Sequence, residues 1–403
     1  PLTSSAASDV YKRQGYDDLV VSTPDADVIA MEGNGRVNVH YGSSGGLSAL
    51  PDLIFAGEND GARYGAGMDI GDFNGDGMVD LAIGSPGWAP TGDPQARHGL
   101  IHVFLGNQSG LSPMPWSNIT GIYNESLGNT LAALEQPSGG DVLAATARNF
   151  SVVVSASQTD QGKVNLYSGN GTGLFPLRNV TQTQDGDLFG RSLEGCDVNN
   201  DGYDELIVGN TGSHQNTISY SSVEYFFGSS TGYNGSADHT LTSLLQGRLF
   251  GLSVTCVGDV NGDGFDEHII TEPLNGTEEF GAGSLWLFEG TDQSLPGEAD
   301  WQFSPSTPNS RIGESIVAAG DINEDGYDDV YVSSRMGSSS GRIEIFLGSA
   351  TGLSDDRQLL AEGNSSERLG LHMASNGDVN GDGLGELFYS CLLYTSPSPR
   401  DSV

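Results

Sequence analysis

The sequence predicts an all-β chain folded as a propeller of four-stranded blades, with a repeat of about 60 residues. Three observations predict it. An Asp/Asn/Gly loop recurs in register, two unrelated markers keep the same spacing, and the apolar residues of each unit alternate with the period of a strand.

The loop is first met as Asp72-Phe73-Asn74-Gly75-Asp76-Gly77 and returns at Asp197, Asp259, Asp321 and Asp378, spacings of 125, 62, 62 and 57 residues. The first spacing is two periods, so one unit between them has lost the motif. A further copy starts in mid-loop at Gly15-Tyr16-Asp17-Asp18, because Gly15 lies 62 residues before Gly77. One marker is a bulky residue plus glycine ahead of the loop: Tyr64-Gly65, Leu127-Gly128, Phe189-Gly190, Phe250-Gly251, Ile312-Gly313 and Leu369-Gly370. The other is an alternating segment that ends in glycine, as in residues 35–42, 99–106, 162–169, 221–228, 283–290 and 341–348. The unit without the loop keeps both markers, which makes it a blade without a metal site. Short apolar runs such as Leu206-Ile207-Val208, bounded by Gly, Pro or Ser, read as strands, and no helical period of useful length appears.

Each loop reads D-x-N-x-D-G-x-x-D/E, and the spacing suits a hard cation. Calcium takes six to eight oxygens at roughly 2.3–2.6 Å, which side chains at positions 1, 3 and 5, a backbone carbonyl at position 7 and a carboxylate at position 9 can supply around a sharp glycine turn. The expected ligands are Asp72, Asn74, Asp76, Met78 and Asp80; Asp197, Asn199, Asp201, Tyr203 and Glu205; and Asp259, Asn261, Asp263, Phe265 and Glu267. The last two sets are Asp321, Asn323, Asp325, Tyr327 and Asp329, and Asp378, Asn380, Asp382, Leu384 and Glu386. About five Ca²⁺ sites are expected. An EF-hand loop begins in the same way but needs Glu at position 12 on an outgoing helix, and here position 12 is Ile83, Val208, Ile270, Val332 or Tyr389. The degenerate unit, with Asp141, is expected to offer no comparable site.

Composition sets the bounds. The chain carries 53 acidic against 16 basic residues, a formal charge of −37, so binding to nucleic acid is excluded and bound cations are favoured. No run of about 18 apolar residues is present, so no membrane-spanning helix is expected. Asn-x-Ser/Thr sequons at Asn107, Asn118, Asn124, Asn149, Asn170, Asn179, Asn234, Asn275 and Asn364 agree with a secreted glycoprotein. Cys196 and Cys256 fall in neighbouring units; two separate buried thiols are the expectation, with a bridge as the alternative. Gly42-Ser43-Ser44-Gly45-Gly46 matches a nucleophile-elbow pattern but occupies a hairpin position, and no pair of histidines has zinc-ligand spacing.

Both termini resemble a translated transposon library adapter. Residues 4–14 and 391–401 back-translate to its two ends, which share one reverse-complementary element. The expected organisation is therefore adapter-derived sequence over 1–14 and 391–403, flanking a propeller over 15–390 that is truncated at both ends. The terminal segments are expected to stay outside the fold.

With these loops, Phe189-Gly190, Phe250-Gly251 and the Gly84-Ser85-Pro86 element in place, the chain resembles the FG-GAP repeat, integrin α-like propeller family over most of residues 15–390. It departs from the common pattern in having Asn at loop position 3. The resemblance implies a seven-bladed propeller, here six mostly complete units and one blade assembled from the two ends. It also implies an extracellular or cell-surface, calcium-binding ligand-recognition and adhesion module that is not itself an enzyme. A protein or glycan ligand would bind the loops of one face, with no nucleic acid and no membrane insertion. The alternative is an accessory propeller of a larger secreted enzyme, phospholipase-like or another hydrolase.

Overall fold

The computed structural model describes residues 3–7, 15–28, 31–90, 96–137, 139–148, 151–154, 157–160, 162–181, 189–211, 221–243, 248–274, 281–292, 295, 297–336, 340–364, 367–382 and 384–393. Six four-stranded antiparallel sheets follow one another along the chain. The first is built from Thr3–Ala7, Asp18–Thr23, Arg36–His40 and Leu53–Ala56, and the second from Met68–Gly71, Asp80–Ser85, Leu100–Phe104 and Ser117–Thr120. Leu127–Leu134, Val142–Ala147, Lys163–Asn170 and Gly173–Val180 make the third. Phe189–Cys196, Glu205–Asn210, Ser222–Phe226 and His239–Thr242 make the fourth. Val254–Gly258, Glu267–Thr271, Leu285–Phe288 and Trp301–Phe303 make the fifth, and Ile316–Gly320, Asp329–Met336, Ser340–Phe346 and Gln358–Glu362 the sixth.

The first strands of the sheets lie side by side around a common axis, which is the arrangement of a β-propeller. The core is correspondingly divided. Apolar clusters sit between consecutive blades, as where Leu134, Val142 and Leu166 of the third meet Phe189, Leu206 and Phe226 of the fourth, and one joins the sixth blade to the terminal hairpin. Second strands are covered on both faces, and Asp80–Ser85 and Glu205–Asn210 are buried at every residue. The bulky-residue-plus-glycine marker acquires a physical reason here. Tyr64, Leu127, Phe189, Phe250 and Ile312 are buried. The glycine that follows each adopts a left-handed conformation, with φ of 88° at Gly65 and Gly128, 80° at Gly190, 79° at Gly251 and 82° at Gly313.

The expected seven-bladed ring is corrected to six blades. The two ends do meet, for the Asp17 amide donates to the Asp378 carbonyl at 2.8 Å and the Asp378 amide to Asp17 Oδ2 at 2.6 Å. They do not share a sheet. Thr3–Ala7 pairs with Asp18–Thr23 and takes the place assigned to residues 369–390, which form a two-stranded hairpin, Glu367–Gly377 with Glu386–Leu393, beside the sixth and first blades. Residues 3–7 and 391–393 are thus strand-paired, contrary to the expectation that the terminal segments stay outside the fold, and the rest of both segments lies outside the described residues. Leu369 also pairs with Cys391. The reason is the open edge of Asp18–Thr23: unpaired backbone donors and acceptors template any extended chain within reach, whatever its side chains.

Candidate metal centres

Four of the loops join the first strand of a blade to the second, the loop from Asp378 joins the two strands of the terminal hairpin, and all lie on one face of the disc. In the loop from Asp72, Asp72 Oδ1 accepts from the amides of Gly75 at 2.8 Å and Asp76 at 3.0 Å, and Oδ2 from Gly77 at 2.7 Å. Asn74 Oδ1 accepts from the Asp76 amide at 2.8 Å, and Asp76 Oδ1 from the Met78 amide at 2.9 Å. The same bonds recur. Position 1 accepts the position 6 amide at 2.7 Å in Asp197, 2.9 Å in Asp259 and 2.7 Å in Asp321. Position 5 accepts the position 7 amide from Tyr203, Phe265, Tyr327 and Leu384 at 2.9–3.1 Å. The position 6 glycines have φ of 80° at Gly77, 86° at Gly202, 91° at Gly264 and 92° at Gly326, which explains their residue type.

The position 9 carboxylate ties the loop to the blade. Asp80 accepts from the Phe73 amide at 3.1 Å and from Gly106 at the end of the third strand at 2.9 Å. Glu267 does so with Val260 and Gly290, at 3.0 and 3.3 Å, and Asp329 with Ile322 and Gly348, at 3.2 and 2.9 Å. Burial raises these carboxyls, to about 7 in Asp80 and about 8 in Glu205 and Glu267, and the aspartates at positions 1 and 5 add to the rise.

The donor set fits a hard divalent cation on two grounds beyond composition. Carboxylate oxygens of Asp378, Asp382 and Glu386 lie within 4.8 Å of one another. Glu205 Oε2 is buried without a hydrogen-bond partner, a costly state for an anionic oxygen that a metal would relieve. Strand residues follow each loop, so position 12 faces no metal and the EF-hand geometry is absent.

Two features escaped the sequence reading. Cys196 and Cys256 are disulfide-bonded and join the first strands of the fourth and fifth blades, which corrects the expectation of separate thiols. Position 8 of the loop, or its equivalent, links blades. Asp141 accepts from the Asp72 amide at 2.7 Å, Asp204 from Glu135 at 2.7 Å and Asp328 from Asp259 at 3.0 Å. Asp17 and Asp378 form the same contact where the chain ends meet. The repeated aspartate before position 9 was its visible signal. Asp141 therefore has a partner in the second blade. Ser44 lies in a hairpin turn, Trp88 Nε1 donates to Glu58 at 2.9 Å, and Trp116 packs against the core between the second and third blades. Asn149 and Asn275 fall outside the described residues.

Fold and loops together define a β-propeller assembled from one recurring unit. The chain carries FG-GAP repeats: the family model described as "FG-GAP repeat" matches residues 189–221, 251–288 and 313–346. It is similar to integrin alpha-PS5 of Drosophila melanogaster, 32% identical over 37% of this chain and 15% of that protein. It is also similar to integrin alpha-5 of Xenopus laevis, 28% identical over 46% of this chain and 18% of the other. Human phosphatidylinositol-glycan-specific phospholipase D matches at 27% identity over 85% of this chain and 45% of its own length. The chain thus spans less than half the length of these relatives. Among solved structures, AofleA from Arthrobotrys oligospora aligns over 90% of this chain and 87% of its own at 11% identity, with a TM-score of 0.44, too low to bear on the fold. The molecule is a β-propeller that carries FG-GAP repeats and is similar in sequence to integrin α chains, and among the described residues no helix is long and apolar enough to cross a membrane.

Proposed function

We propose that this propeller is an extracellular, calcium-binding recognition and adhesion module with no catalytic activity of its own. One observation carries the reading: five loops of one design stand on one face, each with an acidic cluster already shaped by backbone amides. Calcium bound there would be held by the side chains at positions 1, 3, 5 and 9 and the position 7 carbonyl. It would neutralise carboxylates that repel one another and fasten the first, second and third strands of a blade at one end. The affinity expected for an extracellular module is about 10⁻⁴–10⁻³ M.

The disulfide supports an oxidising compartment. Exposed sequon asparagines at 118, 170, 179, 234 and 364 support glycosylation there. The integrin relatives support a protein ligand, and a glycan ligand remains within the proposal. The net charge of −37 argues against nucleic acid. Calorimetric titration of the chelated protein with Ca²⁺ tests the metal claim, and about five sites are expected. Hydrolytic turnover by this chain alone would overturn the binding-module reading.

A second reading rests on the match to phosphatidylinositol-glycan-specific phospholipase D over 85% of this chain. In it the propeller serves a larger secreted enzyme. Sequencing the gene on both sides of residues 15–390 separates the two, since a hydrolase motif favours the enzyme and an anchor with adhesive domains the module.

A further inference from the structure

The third blade, whose sequence lacks the D-x-N-x-D-G pattern, keeps an aspartate just before its second strand, and that aspartate acts on the blade before it. Its connection between Leu134 and Val142 is residues 135–141 and ends in Gly139-Gly140-Asp141. Asp141 binds both peptide groups of Asp72, the first residue of the second blade's loop. Its carboxylate accepts from the Asp72 amide at 2.7 Å, and its own amide donates to the Asp72 carbonyl at 2.8 Å. The Gln136 amide donates to the other carboxylate oxygen at 3.3 Å, which ties Asp141 to its own blade.

The turn around Asp141 is shaped for this contact. A Cβ on Gly140 would stand 2.9 Å from the Gly75 nitrogen and 3.0 Å from the Asp72 oxygen, so only glycine lets the two loops meet backbone to backbone. Within the second blade the Asp72 side chain already accepts from the amides of Gly75, Asp76 and Gly77. The first residue of that loop is therefore held from inside by its own blade and from outside by the next. The same pair of bonds recurs where Asp328 meets Asp259, at 3.0 and 3.1 Å. For the loop from Asp321 the equivalent place is Gly385, which has no carboxylate to offer.

We propose that Asp141 is a positioning residue for a calcium site in the neighbouring blade: it holds Asp72 in the ligating arrangement before the cation arrives, so the second blade's loop is braced from the third. The inference rests on the calcium reading above and adds to it a residue that touches no cation. Groups behind a ligand set its orientation, and their loss weakens metal binding about ten- to a hundredfold. A contact that served only to join two blades would leave the affinity of the Asp72 loop where it was.

The test is a Ca²⁺ titration of chelated protein labelled with ¹³C-carbonyl Asp and ¹⁵N-Gly, which selects the amides of Asp–Gly pairs and so reports position 6 of the loops. In the wild type the Gly77, Gly202, Gly264 and Gly326 amides should each trace a binding curve. Asp141→Ala should weaken the Gly77 curve about tenfold and leave the other three in place, which also shows that the variant is folded. Asp141→Asn keeps an oxygen for the Asp72 amide and should stay within about threefold of the wild type, the cost of one screened charge. A further measurement needs no variant: in the ¹⁵N-labelled wild type, hydrogen exchange at the Asp141 amide should slow as the Gly77 curve fills. An unchanged Gly77 curve in Asp141→Ala would overturn the proposal. So would equal weakening by the Ala and Asn variants, equal weakening at all loops, or Asp141 exchange indifferent to Ca²⁺. Wild-type amides that show no shift at any loop would defeat the calcium reading, and the inference with it, a result distinct from the others.

Discussion

Asp263 stands at the fifth position of its loop, where it accepts the Phe265 amide and donates its own amide to Asp259 and Asn261. Asp263→Ala should remove one calcium site and leave the other four, because each loop is closed by its own blade. Titration of the variant should therefore find one site fewer at unchanged affinity. Glu194 tests the electrostatics away from the metal. It lies on the channel wall, accepts the Cys256 amide at 3.0 Å, and is raised from 4.5 to about 8 by burial and the nearby Asp69 and Asp204. A carboxyl whose folded value is raised leaves stability intact below about 4.5 and diminishes it as pH rises through 8. Glu194→Gln keeps the acceptor and removes the charge, so it should stabilise the protein by at least ~1 kcal/mol at pH 8–9 and hardly at all at pH 4. Denaturant melts across that range check the sign.

Blades are joined by contacts that repeat as faithfully as the loops within them. Asp141→Ala would break the bond to the Asp72 amide and should cost ~1–2 kcal/mol without changing the number of calcium sites, which chemical denaturation and calorimetry measure separately. The bridge between the fourth and fifth blades closes a loop of chain between residues 60 apart. Cys196→Ser with Cys256→Ser should cost ~2–4 kcal/mol. At this scale much was legible in the sequence. Loop, marker and strand period fixed the blade, because a metal loop, a left-handed glycine and a strand covered on both faces each leave a local signature. What was not legible depended on partners distant in sequence. Asp141 looked like the remnant of a lost site and is a link to the neighbouring blade, while the pairing of Cys196 with Cys256 needs the relative placement of two strands.

The number of blades is a property of the whole ring, and local pattern did not settle it. Spacing of the units pointed to a blade assembled from both ends, but strand pairing rewards proximity, and Thr3–Ala7 reaches the open edge of Asp18–Thr23 first. Deleting residues 1–14 frees that edge, and the hairpin Glu367–Gly377 with Glu386–Leu393 should then approach it, with new cross-protection of the Asp18–Thr23 amides in hydrogen exchange. Calcium, as proposed, would act on the same whole. Each loop concentrates acidic side chains on one face of a molecule with 53 acidic residues against 16 basic ones, so without a cation these carboxylates repel one another where the strands are joined. The most direct test is calorimetric titration of the chelated protein with Ca²⁺, followed by thermal melting with and without chelator. About five sites with affinities of about 10⁻⁴–10⁻³ M and a lower melting temperature after chelation are expected. Absence of binding heat together with a melting temperature indifferent to chelator would contradict it.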